Sequence, residues 1–379
     1  MNPGLYVHIP FCRSKCYYCD FNSYPLNSKY SIDEYINALY KEIDIHVNPN
    51  KSYSLKSIYF GGGTPTILTG LAISHLLLYI KKRFKIDENA EITIEANPGT
   101  IQREKMQIMY QSGYNRISLG GQTFNDSLLK NIGRIHSSAE ISASFKLARE
   151  IGFNNINLDI IYALPGQSKD ELKNDLFRTV ELNPEHISLY GLTIAEGTRF
   201  YDDRKKGLLK LPTEEIEAEM FAWAISYLES KKYEHYEISN FAQRGKRSVH
   251  NQIYWDNLPY IGIGAGAFSY LNGYRYGNLK DPLAYIQSLN KGVLPIEQGE
   301  RLSREKMMSE SVILWLRTRD GVNFNKFMQR FKVDFHNIFG TQVEEMRENG
   351  LLEEDECCCH LSRKGVFLAN RVFEEFIIL

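Results

Sequence analysis

The sequence predicts an α/β fold: a parallel sheet assembled from six consecutive strand–helix units, followed by a smaller, mostly helical C-terminal region. Three observations predict it. Short β-like apolar runs alternate with longer runs of helical periodicity up to residue 235. Polar or Gly-rich motifs fall directly after strand-like runs, where parallel α/β architectures place their ligands. Beyond residue 303 the periodicity turns helical and ends in a wing-like stretch.

Residues 4–9 (GLYVHI) read as the first strand, and three cysteines follow it. Ser31-Ile-Asp-Glu34 has the form of a capping box, and Ile32, Tyr35, Ile36, Leu39 and Ile43 mark one helical stripe. Strand-like segments recur near 57–60, 91–95, 115–119, 155–161 and 186–192, and helical segments near 72–84, 103–112, 138–151, 169–182 and 214–232. Gly61-Gly-Gly-Thr-Pro65 follows the second strand, Glu95-Ala-Asn-Pro98 the third and Gly120-Gly-Gln122 the fourth, while Asp159 sits within the fifth. Such a sheet can be open or rolled into a partial barrel, and the pattern fits both.

The rhythm stops near 236, where a Tyr- and Gly-rich segment runs through Tyr276. After 303 come helical runs at Ser311 to Leu316, Phe324 to Phe331 and Val343 to Asn349. The ending Gly350-Leu-Leu, a strand-like stretch and Ser362-Arg-Lys-Gly-Val366 resembles the wing of a winged helix. Residues 321–379 carry seven Lys/Arg against ten Asp/Glu, the wrong sign for a phosphate-binding face. That region is expected to be a structural or partner-docking cap, with no nucleic-acid partner. The expected division is 1–235, a connecting segment 236–300, and 301–379.

With 379 residues and 43% hydrophobic content, the chain can fill one large core and a smaller one. Its net charge of −1 points to no polyanion. No apolar run approaches the roughly 20 residues that span a bilayer, and residues 1–10 lack a basic segment leading into an apolar run. A cytoplasmic location is expected.

Cys12, Cys16 and Cys19 crowd one short loop, which suits a metal site better than a disulfide framework. A cubane normally takes four cysteines, so three leave one iron open to a small molecule. Arg13 and Lys15 suit such an anionic cluster. A zinc site completed by His8, or unbound thiols, are the alternatives.

The CxxxCxxC loop resembles the signature of the radical S-adenosylmethionine (SAM) superfamily. From Tyr6 to about Asn370 the chain resembles the family of oxygen-independent coproporphyrinogen III oxidases and the related HemW-type heme chaperones. The resemblance implies a partial (β/α)6 barrel, a [4Fe–4S] cluster on the three cysteines, and SAM bound to the open iron through its amino and carboxylate groups. It also implies cleavage of SAM to methionine and a 5′-deoxyadenosyl radical by one electron from the cluster. Tyr6, Tyr18, Gly62, Gly63, Thr64, Glu95, Gln122, Arg134 and Asp159 match positions that contact SAM in the family. The Gly-rich turn lets backbone approach closely and offers N–H groups, and Glu95 suits ribose hydroxyls. Each has a plainer reading: a tight turn, a packing tyrosine, a surface charge at Arg134, a helix cap at Asp159.

Within the family, the oxidases carry a fourth cysteine where Phe21 stands here, and a long extension where eleven residues precede Cys12. His250-Asn-Gln-Ile-Tyr-Trp255 matches the HNxxYW motif associated with heme in the chaperones. His250 can ligate heme iron or pack as an ordinary buried histidine. Phe268 stands where relatives have His, and Ala163 and Gly121 where they have Gly and Val. Cys357 to Cys359 have no counterpart there. On a strand their side chains alternate faces, which makes a poor chelate. The resemblance therefore implies a chaperone that binds heme and delivers it to respiratory apoproteins, membrane-associated ones included. An oxidase, or a methyltransferase or heme-opening enzyme on the same barrel, is the alternative.

Overall fold

The computed structural model describes residues 2–27, 29–47 and 54–378. Six strands run parallel in chain order: β1 (Gly4–Ile9), β2 (Leu55–Gly62), β3 (Ile86–Ala96), β4 (Arg116–Gln122), β5 (Ile156–Tyr162) and β6 (His186–Gly191). Each pairs with the next. The helices Ile32–His46, Gly70–Arg83, Arg103–Ser112, Ser138–Ile151, Lys169–Leu182 and Glu214–Ser230 alternate with them.

The Tyr- and Gly-rich stretch extends this sheet at both edges. On one side β7 (Glu234–Glu237) and β8 (Asn240–Ala242) continue antiparallel from β6. On the other, β9 (Tyr260–Ile263) pairs parallel with β1, and β10 (Phe268–Leu271), β11 (Tyr274–Asn278) and β12 (Ile296–Arg301) follow antiparallel. The order is β12-β11-β10-β9-β1-β2-β3-β4-β5-β6-β8-β7, with β12 and β7 as ends. Side chains from β2 through β6 converge on one cavity. The sheet is therefore rolled, and its ends do not close it.

The strands show why the interior is polar. A parallel sheet covered on both faces carries nearly continuous apolar runs. Here residues alternate: Ile156, Leu158 and Ile160 join the core beneath the helices, while Asn157 and Asp159 between them face the cavity. On β4 Ile117 and Leu119 pack outward, and Arg116 and Ser118 face inward. Period-2 alternation thus divides an apolar convex face from a polar concave one.

The C-terminal region holds the helices Arg304–Leu316, Phe324–Phe331 and His336–Glu348 around buried Trp315, Phe327, Phe335 and Phe339. A small sheet of β13 (Val322–Asn323), β14 (Leu352–Glu354) and β15 (Cys358–Leu361) lies beside them in the order β13-β15-β14. The wing is this β14–β15 hairpin. Ser362, expected within the wing, instead caps a short helix through Gly365 N–H. Among the described residues, no helix is long and apolar enough to cross a membrane.

Candidate cluster and cofactor site

β1 ends at Ile9, and the chain then loops out and returns. Phe11–Cys12 pairs with Tyr24–Pro25, closed by Tyr24 N–H to Pro10 O at 2.7 Å and Leu26 N–H to Cys12 O at 2.8 Å. Tyr17 N–H donates to Ile132 O at 3.1 Å, tying the loop tip to the barrel rim. Cys12, Cys16 and Cys19 are all free and line one cavity of ≈390 Å³, within the roughly 300–1,000 Å³ of small-molecule sites.

Each thiol has its own hydrogen-bond donor or polar neighbour. Thr64 Oγ1 donates to Cys12 Sγ at 3.6 Å, Arg134 Nη1 to Cys16 Sγ at 3.6 Å, and Ser23 Oγ lies 3.9 Å from Cys19 Sγ. Burial pushes the Cys12 and Cys19 thiols above their ordinary range, so a bound cation is what would hold them as thiolates. Donors to the sulfurs are what a [4Fe–4S] site needs around its ligands. The zinc alternative lacks its fourth ligand, because His8 is engaged at both nitrogens: Tyr6 OH at 3.0 Å and Asn22 O at 2.8 Å.

Arg134 is no surface charge. Besides Cys16 it reaches Asn97 Oδ1 at 3.1 Å and Gly120 O at 2.9 Å. A Cβ on Gly120 would sit 2.5 Å from Arg134 Nη2, so that glycine makes room for the guanidinium. Asn97 in turn donates to Thr64 Oγ1 at 3.0 Å, joining the cysteine donors into one network.

Tyr18, Gly62, Gly63 and Thr64 line the same cavity, as do Glu95, Gln122 and Asp159. Glu95 accepts Tyr59 OH at 2.7 Å and Gly62 N–H at 3.2 Å, and burial raises its pKa to about 7. Two of a carboxylate's roughly four acceptor positions remain for ligand hydroxyls. Asp159 accepts from Ser118 Oγ at 3.2 Å and Asn157 Nδ2 at 2.7 Å, with burial raising its pKa. It lies inside the barrel and caps no helix.

The Gly-rich turn does not offer its N–H groups: Gly62 N–H goes to Glu95, Gly63 N–H to Ile9 O at 2.9 Å and Thr64 N–H to Phe11 O at 2.9 Å. The glycines are required for shape. Gly62 has φ +114°, and a Cβ on Gly63 would lie 2.7 Å from Phe11 O and 2.9 Å from Cys12 Sγ.

A second cavity of ≈490 Å³ opens between the β1–β9–β10 edge and the C-terminal region. Tyr254, Trp255, Tyr260 and Phe268 line it, with Glu310 and Leu314 from the helix Arg304–Leu316. Phe21 belongs to both cavities, and Tyr6 lines this one, not the first. Trp255 Nε1 is buried without a hydrogen-bond partner. His250 lines neither cavity. It is 1% exposed, with Nδ1 2.8 Å from Ser57 Oγ and Nε2 2.9 Å from Tyr254 OH. Burial lowers its pKa to about 3, so the ring is neutral. The helix Val249–Trp255 that carries it is held by Glu91, which accepts Val249 N–H and His250 N–H, each at 3.1 Å.

A model of the radical SAM superfamily matches residues 6–178, and one of the HemN C-terminal domain matches 302–368. Barrel, cysteine loop and C-terminal region together define a radical SAM protein, a class that implies a [4Fe–4S] cluster and SAM. The chain is 40% identical over 378 residues to the heme chaperone HemW of Lactococcus lactis subsp. lactis (strain IL1403), covering 99% of this chain and 97% of that one. It is 38% identical over 375 residues to HemW of Bacillus subtilis (strain 168), covering 99% of each. The structure of coproporphyrinogen III oxidase (HemN) from Escherichia coli matches with a TM-score of 0.87 at 26% identity, covering 99% of this chain and 90% of that one. The chain belongs to the HemW family.

Proposed function

We propose that the protein is a heme-carrying chaperone that delivers heme to respiratory apoproteins and does not decarboxylate coproporphyrinogen III. In this reading residues 1–235 carry the cluster and SAM, 236–300 supply most of the porphyrin contacts, and Tyr6 and Phe21 from the barrel and Glu310 and Leu314 from 301–379 complete the cavity wall. Cys12, Cys16 and Cys19 hold the cluster, with Thr64, Arg134 and Ser23 beside their sulfurs. When bound, the cluster offers SAM an open iron and one electron. Glu95 takes the ribose hydroxyls, and Tyr18, Gln122 and Asp159 wall the rest of the cavity.

The observation that carries the heme reading is the aromatic cavity, into which the Tyr254 and Trp255 rings of the HNxxYW motif open. Flat aromatic faces suit a porphyrin. His250 serves there as the residue that positions Tyr254, since both its nitrogens are engaged. Phe268 offers a ring face and no iron ligand. The second reading, an oxidase, is favoured by the 0.87 TM-score to the HemN structure. Phe21 in the fourth-cysteine position and 40% against 26% identity favour the chaperone.

Heme titration of the reconstituted protein tests the site. The wild type should give a saturable Soret band, and Trp255→Ala should weaken binding up to about tenfold, in line with the ~0.5–1.5 kcal/mol expected for a lost aromatic contact. Equal affinities would place heme elsewhere.

A further inference from the structure

We propose that Cys357, Cys358 and Asp355 form a second metal site, for a thiophilic divalent cation such as Zn²⁺, on the turn of the β14–β15 hairpin. Three consecutive cysteines on a strand would point to alternate faces. Here the strand begins only at Cys358, so Cys357 belongs to the turn before it. Asp355 Oδ1 accepts Cys357 N–H at 2.8 Å and Cys358 N–H at 2.9 Å, wrapping the backbone around its carboxylate. Both thiols donate to the same carboxylate, Cys357 Sγ to Oδ1 at 3.2 Å and Cys358 Sγ to Oδ2 at 3.4 Å. The three ligand atoms lie within 4.8 Å of one another.

The sulfurs approach different oxygens, so a shared ion needs a turn of the carboxylate that brings one oxygen to both, within a spread already no larger than 4.8 Å. Zn–S bonds of about 2.3 Å and Zn–O bonds of about 2.0–2.2 Å at a tetrahedral angle put S and O roughly 3.5 Å apart. Cys357 is exposed, so a small side-chain rotation completes the approach. Binding releases the two S–H protons to solvent. The resulting dithiolate–carboxylate carries −3 before the ion arrives and −1 with Zn²⁺; Glu353 and Glu356 flank it, while Glu354 is paired with Arg347 and His336. Sulfur ligands favour soft ions over Mg²⁺ or Ca²⁺. Cys359, buried and paired opposite Val322, takes no part. Three protein ligands leave a fourth position for water or an incoming thiol, the pattern of an open rather than a closed site.

The test is equilibrium dialysis of the cluster-reconstituted protein against Zn²⁺ with a weak competing chelator, reading zinc and iron on the same samples. The wild type should hold one Zn²⁺ per chain beyond its cluster iron. Cys357→Ser/Cys358→Ser should bind at least tenfold more weakly with iron unchanged. The same comparison is made on a Cys12→Ala/Cys16→Ala/Cys19→Ala background, where the hairpin thiols should still hold one Zn²⁺. Absence of zinc from the wild type, or an undiminished zinc content in the hairpin variant on either background, overturns the proposal.

Discussion

Glu95 lines the first cavity with a pKa near 7, raised by burial against the Tyr59 and Gly62 donors. A hydroxyl-binding carboxylate must be ionised to accept on both oxygens. Bound hydroxyls favour that form, so protonation of the free protein opposes binding. SAM affinity should therefore fall as pH drops through 7, by about tenfold from pH 8 to pH 6 for a single such group. Glu95→Gln should bind more weakly and flatten that profile, read by isothermal titration. A variant with the wild-type pH dependence would detach Glu95 from the ligand. Gly63 gives a second test. Its Cβ would press on the Phe11 carbonyl and the Cys12 sulfur, and backbone cannot yield as a flexible side chain can. Gly63→Ala should lose most of its cluster iron while destabilising the fold by only ~1–3 kcal/mol, as overpacking does. Full iron occupancy would contradict the tight placement of Cys12.

Residues at strand ends were legible because Gly, Cys and Pro break the apolar runs there. Asn97, Ser23, Tyr59 and Arg116 were missed, although all four line the first cavity. Asn97 follows Glu95 in the Glu95-Ala-Asn-Pro98 motif, and only the folded structure shows that it bridges Arg134 and Thr64. Tyr59 and Arg116 lie within strands, and only the rolled sheet decides which side of each strand is concave.

Among the elements, the helix Val249–Trp255 links the barrel to the aromatic cavity. It is seven residues long, too short for a periodicity signal, and its position depends on Glu91 and on the His250–Tyr254 contact. His250→Ala leaves Ser57 and Tyr254 hydroxyls without their partner and opens a small void, for about 2–4 kcal/mol of lost stability. The wild-type ring has a folded pKa near 3, below its unfolded value. Its contribution is thus complete above about pH 6.5 and is lost as pH falls from there toward 3. The variant's stability should fall less steeply over that window. Its Soret band should keep its position while heme affinity drops; a shifted band would make His250 an iron ligand.

The six strand–helix units fall close to their expected ranges because long apolar periodicity survives tertiary context. The Ser31 cap forms, with its hydroxyl accepting Glu34 N–H at 3.3 Å. Fully reciprocal boxes occur instead at Ser137–Glu140 and Ser168–Glu171. Strands β7 to β12 escaped notice: they are three to six residues long, and their pairing is set by sheet edges distant in sequence.

At the scale of the whole molecule, two cavities share one wall. Phe21, 66% exposed, belongs to both, and Asn22 beside it donates to Ala265 O and Lys280 O at 3.0 Å each. The loop that carries the cysteines is therefore anchored to the turns that shape the aromatic cavity. Openness of the barrel was not readable from periodicity, because it depends on two edge strands that never meet. The proposed function has this scaffold carrying a porphyrin without transforming coproporphyrinogen. The most direct measurement is anaerobic incubation of the cluster-loaded protein with SAM, a one-electron reductant and coproporphyrinogen III, followed by chromatography of the porphyrins. Coproporphyrinogen should be recovered unchanged; accumulation of protoporphyrinogen IX over several turnovers would overturn the chaperone reading.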